Sequence, residues 1–97
     1  MKRLHEWMLE QWDEQENEEG ICYCYETNIP LSRAQYRGNS AIYHHLLEKG
    51  RDKYKQYSME PWNLIIVHPS THSQVHTNID KCPRIKELTL KLKEKYG

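Results

Sequence analysis

The stretch Trp62-Asn63-Leu64-Ile65-Ile66-Val67-His68-Pro69-Ser70-Thr71-His72-Ser73-Gln74-Val75-His76-Thr77 decides how this chain reads. Leu64-Ile65-Ile66-Val67 is its longest apolar run, too short for a helix and suited to a buried strand, so residues 62–67 are expected to be extended. Pro69 and Ser70 follow as helix-opening residues. Ser70 is the expected N-cap of a helix running to residue 76 or 77. On that helix His72 and His76 are four residues apart and share one face.

Upstream, Ala41-Ile42-Tyr43-His44-His45-Leu46-Leu47 reads as another short strand, with the His pair near its end. Residues 48–61 form the connection, with room for a helical turn. Lys49, Arg51, Lys53 and Lys55 are interleaved there with Tyr54 and Tyr57. Two strands and a helix thus each supply polar side chains, the arrangement in which several imidazoles converge on one cation. Imidazole nitrogens bind divalent transition metals well.

Farther out, residues 2–17 read as an amphipathic helix with Leu4, Trp7, Met8 and Trp12 at helical spacing. That stripe is expected to pack on the domain itself or to meet a protein partner or a second copy. Gly20 is the expected stop. Residues 21–31 look like a β-ribbon turning at Thr27-Asn28, and residues 32–40 like a polar connection. Residues 78–82 make a turn. Pro83 opens a last helix with Ile85, Leu88, Leu90 and Leu92 as its apolar positions and lysines outside. The expected class is α+β in one domain: an acidic N-terminal helix (1–20), a core (21–77) and a C-terminal helix (83–96).

The 97 residues leave no room for a separate cofactor domain, and their mean hydropathy of -0.99 and lack of a long apolar run argue against a membrane span. The charged N-terminus does not resemble a signal peptide, so a cytoplasmic location is expected. The formal net charge is zero, which excludes a coat that grips nucleic acid by total charge. The zero has two unlike halves: residues 1–20 carry −5 and residues 21–97 carry +5. The acidic segment is expected to sit away from a nucleic-acid face, or to shield it.

The His pair, the Asn nine residues before a helical His, and the second His four residues later resemble the HNH endonucleases, whose fold is the ββα-metal (His-Me finger) motif. The resemblance covers about residues 22–77 and is closest to the small HNH proteins of bacteriophages and their hosts. It implies a metal-dependent endonuclease or nickase acting on DNA, in the cytoplasm of a bacterial host. His44, His72 and His76 would hold one divalent ion (Mg, Mn, Zn or Ni). His45 would be the general base, and Asn63 would tie the inter-strand loop so that His45 is aimed. Lys49, Arg51, Lys53 and Lys55 would meet DNA phosphates, with Arg33, Arg37 and Lys81 as further contacts.

Many relatives also carry a structural zinc on two CxxC pairs. Here the first is Cys22-Tyr23-Cys24, one residue short, and the second pair's positions hold His68 and Thr71. A zinc on Cys22, Cys24 and His68 would lack a fourth ligand, so a structural zinc is not expected. The contrasting readings are a ββα-metal module that binds or regulates a protein partner without turnover, and a structural zinc closed by the three histidines and a cysteine.

Overall fold

The computed structural model describes residues 3–48 and 52–97. Among them, four α-helices and two two-stranded antiparallel sheets make a mixed α+β architecture. The order is α1 (Leu4–Gln15), β1 (Ile21–Tyr23), β2 (Pro30–Ser32), α2 (Arg33–Tyr36), β3 (Tyr43–His45), β4 (Leu64–Ile66), α3 (Pro69–Thr77) and α4 (Pro83–Tyr96). No helix among the described residues is long and apolar enough to cross a membrane.

The apolar stripe of α1 goes into the chain's own core. Trp7, Met8, Gln11 and Trp12 are buried, and Trp12 is wholly enclosed. The same cluster holds Cys22, Leu31, Ile42, Ile66, Val67 and Ile85, so both sheets and both long helices share one interior. Removing a tryptophan of that kind costs on the order of 3–5 kcal/mol, so α1 is part of the fold and not an appendage. Its acidic face is committed too. Arg33 Nη1 donates to Asp13 Oδ1 at 2.8 Å and to Glu16 Oε1 at 2.6 Å. Arg37 forks onto both Asp13 oxygens at 2.8 and 2.9 Å. The hydrogen bond from Arg37, with help from Arg33, holds the Asp13 carboxyl below its usual range.

The ribbon of β1 and β2 pairs Cys22 with Leu31 and turns through Asn28, whose φ of 62° is a left-handed value that Asn tolerates. Glu26, at the ribbon tip, reaches the start of α4. Its carboxylate accepts from the backbone N–H groups of Arg84 and Ile85, satisfying two donors that a helix start leaves unpaired. Gly20, with φ of 75°, makes the turn from α1 into the ribbon.

Strands β3 and β4 pair Tyr43 with Ile66, His44 with Ile65 and His45 with Leu64. Both are shorter than the seven and six residues their sequences suggest, because each is entered through a 3-10 turn, Ser40–Ile42 and Pro61–Asn63. Asn39 caps the first of these by accepting from Ala41 N, and Pro61 opens the second. The polar connection 32–40 contains the single turn α2, which has no buried residue and hence no apolar period to betray it.

Helix α3 ends where expected but starts two residues earlier than a Ser70 cap implies. His68, not Ser70, is the N-cap, and its Nδ1 accepts from Ser70 N at 3.1 Å. Pro69 takes the first helical position, where its missing N–H is harmless, so the residue before it must cap. In α4, Ile85 and Thr89 are buried and Leu88 and Leu92 lean on the core, whereas Leu90 is 56% exposed. A period of 3.6 carries 85, 88, 89 and 92 along one face and leaves 90 on the other.

Candidate metal centre

Successive residues of a strand point to opposite faces, and that rule separates the two adjacent histidines. His44 turns to α3, where its ring meets those of His72 and His76 edge-on, with centroids 5.2 and 5.8 Å away. His72 and His76 lie one helical turn apart, with centroids at 4.8 Å. One ligand atom from each of the three falls within 4.8 Å of the others, and they are the one such group of three among the described residues.

The donor chemistry fits a divalent ion. His72 Nδ1 donates to the Ala41 carbonyl at 2.6 Å, which fixes the ring and leaves the lone pair on Nε2. His44 is 6% exposed. Burial first, then the neighbouring His72, His76 and His45, push its pKa down to about 4, so at neutral pH it is an uncharged ligand. No cysteine joins the three rings, so an ion held there would keep coordination positions open, as catalytic centres do and closed structural sites do not.

His45 turns the other way, to the segment after the 3-10 turn Asp52–Tyr57. Its Nε2 is 2.8 Å from the Ser58 carbonyl. A carbonyl only accepts, so Nε2 carries a proton. Asn63 sets the position of that carbonyl. Fully buried, it accepts from Leu47 N at 2.7 Å and donates to Leu47 O and Tyr57 O at 3.2 and 3.0 Å. One side chain thereby fastens Leu47, at the start of the inter-strand connection, to Tyr57, one residue before Ser58.

Three other bonds hold α3 in place: the His68 cap, the His72 bond to Ala41, and a contact of 3.7 Å between Cys24 Sγ and Thr71 Oγ1. The sulfurs have local partners rather than a common focus. Cys22 Sγ donates to the Trp12 carbonyl. Burial, with the Glu16 and Asp13 carboxylates, pushes its thiol up to about 12, which disfavours the thiolate a metal needs. For Cys24 burial acts upward as well, but hydrogen bonds from Thr27, the His68 backbone and Thr71 outweigh it and lower the value. His68 spends its Nδ1 on capping. The second set considered, Cys22, Cys24 and His68, is not among the groups of three gathered around a common point in the described residues.

Two hollows flank the histidines. One, of about 340 Å³, is lined by His44, His45 and His76 together with Glu48, Tyr54, Val75, Ile79, Thr89 and Lys93. The other, of about 290 Å³, is lined by His44, His45, His72 and His76 with Met8, Ser40, Tyr43 and Glu48. Of the basic loop, Lys49 and Arg51 lie outside the described residues. Lys53 and Lys55 are exposed, and it is Tyr54 between them that lines the larger hollow. Arg33 and Arg37 are in ion pairs with α1, and Lys81 is exposed on the turn before α4. Sequence reasoning missed Met8, Thr89 and Lys93 as neighbours of the site, because nothing local in α1 or α4 reveals what their side chains face. No family model, curated protein or solved structure matches the chain.

Proposed function

We propose that this chain is a metal-dependent endonuclease of the HNH, ββα-metal type that hydrolyses DNA phosphodiester bonds, nicking one strand per encounter. In this reading β3, β4 and α3 are the ββα-metal core. The observation that carries it is the setting of His45: an imidazole held through Nε2 by the Ser58 carbonyl at 2.8 Å, beside three convergent histidines.

The roles follow from the groups. His44, His72 and His76 would hold one divalent ion, which when bound supplies Lewis-acid stabilisation of the charge that grows on the phosphate. His45 takes a proton from the attacking water, a task suited to an imidazole near neutral pH. Asn63 touches no substrate. It positions His45 by fixing the segment whose carbonyl holds Nε2.

The test is nicking of supercoiled plasmid by the full chain across Mg, Mn, Ni and Zn, with and without EDTA. Nicked circles are expected with at least one metal and are lost on chelation. His45→Ala is expected to lower the rate by about 10²–10⁴-fold, with cobalt affinity unchanged because His45 is not among the three ligands. Plasmid left supercoiled by a large excess of intact protein with every metal overturns the reading.

A further inference from the structure

We propose that Lys93 of α4 holds a non-bridging phosphate oxygen of the nucleic acid beside the His44, His72 and His76 centre, an inference that rests on the hydrolytic reading of that centre. The basic residues of α4 differ in what they face. Arg84 lies over the Tyr25 ring, with 4.9 Å to its centroid. Lys86 pairs with Asp80, and Lys91 pairs with Glu87 at 3.2 Å. Lys95 lies over Tyr96, 5.4 Å from its centroid. Lys93 has no ion-pair or ring partner among the described residues, and it is the one that lines the larger hollow with His44, His45 and His76.

Among the described residues that line this hollow, Lys93 is the one lysine or arginine, and Glu48 is the one carboxylate. An ammonium offers three donors and a compact charge, the chemistry of phosphate holding without base readout. The fold also keeps Lys93 in place. Three residues on, Tyr96 stacks on Trp62, with ring planes 7° apart and centroids at 4.3 Å, and Tyr57 packs against both. Trp62 and Tyr57 flank the very segment that holds His45 and Asn63. The aromatic stack therefore couples the last turn of α4 to the segment that holds His45, and Lys93 and His45 line the same cavity.

The test begins without metal, so that it does not depend on cleavage. Fluorescence anisotropy of a labelled short duplex, titrated with full-length protein in EDTA over a salt series, reads the contact directly. Lys93→Gln is expected to weaken binding about tenfold at low salt. It should also reduce the slope of log affinity against log salt by about one. Lys93→Arg should restore both, and Lys91→Gln, on the solvent face, should change affinity less than twofold. With metal, Lys93→Gln is expected to slow nicking at least tenfold at unchanged cobalt affinity. Identical binding curves for Lys93→Gln and wild type, or no duplex binding by wild type, overturn the assignment while leaving the plasmid result to judge the nuclease. A wild type that binds but never nicks, with the Lys93 slope intact, overturns the hydrolytic reading and leaves Lys93 as a phosphate contact.

Discussion

The two hollows beside the histidines share His44, His45, Glu48 and His76, and differ in their far walls. On one side stands α4 with Thr89 and Lys93, from a helix whose outer face is basic. On the other stands α1 with Met8, from a helix whose outer face is acidic and whose Asp13, with the C-cap Glu16, pairs with Arg33 and Arg37. Charge across the molecule is thus sorted by wall: a cation is left for solvent or ligand on the α4 side, and an apolar group closes the α1 side. In the proposed reading, the phosphate meets the α4 face of the centre, and the α1 face serves stability.

The largest effect should come from the residue on which the base, and not the ligands, depends. Asn63→Ala leaves Leu47 N, Leu47 O and Tyr57 O without their buried partner. A loss of about 3–4 kcal/mol in urea unfolding is expected, and about a hundredfold in nicking at a temperature where the variant is folded. Cobalt affinity should fall far less, since His44, His72 and His76 are held by β3 and α3. If affinity and rate fell together, the base and the ligand set would not be separately built.

Proton linkage isolates the shared wall. The folded-state value of His44, about 4, lies below the ordinary 6.5, so the unfolded chain binds that proton more tightly. The corresponding stability is complete above pH 6.5 and is lost as pH falls towards 4, in total roughly 3 kcal/mol. Urea midpoints of chelator-treated protein at pH 7 and pH 5 should show the decline, and His44→Gln should flatten it. A slope unchanged in the variant would assign the titration elsewhere.

Met8→Ala sharpens the contrast with Lys93. A buried methionine removed from the α1 wall is expected to cost about 2–3 kcal/mol, read as a lowered urea midpoint, with duplex affinity in EDTA unchanged. Lys93→Gln should give the opposite pattern. The two walls would lose their distinction if Met8→Ala weakened duplex binding as much as Lys93→Gln does.

What was legible in the sequence is what local periodicity and spacing control. Helix α3 ends where expected, because the polar stretch after Thr77 is a local signal. The i, i+4 relation of His72 and His76 is enough to bring both rings to His44. The ribbon turn at Asn28 is local as well. Features set by distant partners were not legible. His68 caps because Pro69 displaces the cap by two residues, while its ring also meets Tyr36. Cys22 and Cys24, though two residues apart, find partners in α1 and α3 respectively. Leu90 looks like its neighbours in composition and differs only in angular position. Lys93 looks like any other lysine of a solvated helix face until the pairing of Lys86, Lys91 and Lys95 sets it apart.

The smallest predicted effect concerns the charge on the α1 side. Deleting residues 1–19 would strip Trp7, Met8 and Trp12 from the interior, so truncation would report on folding and not on shielding. Asp13→Asn with Glu16→Gln removes the carboxylates and keeps the apolar face. Arg33 and Asp13 are largely exposed, so the ion pairs themselves are worth little and stability should change by less than about 1 kcal/mol. Duplex affinity in EDTA is expected to rise a fewfold at low salt, with a salt slope steeper by one to two, as Arg33 and Arg37 become available to phosphates. An unchanged slope would mean that these arginines face away from the nucleic acid. The positive charge of residues 21–97 would then act through the α4 wall, and the acidic helix would shield nothing.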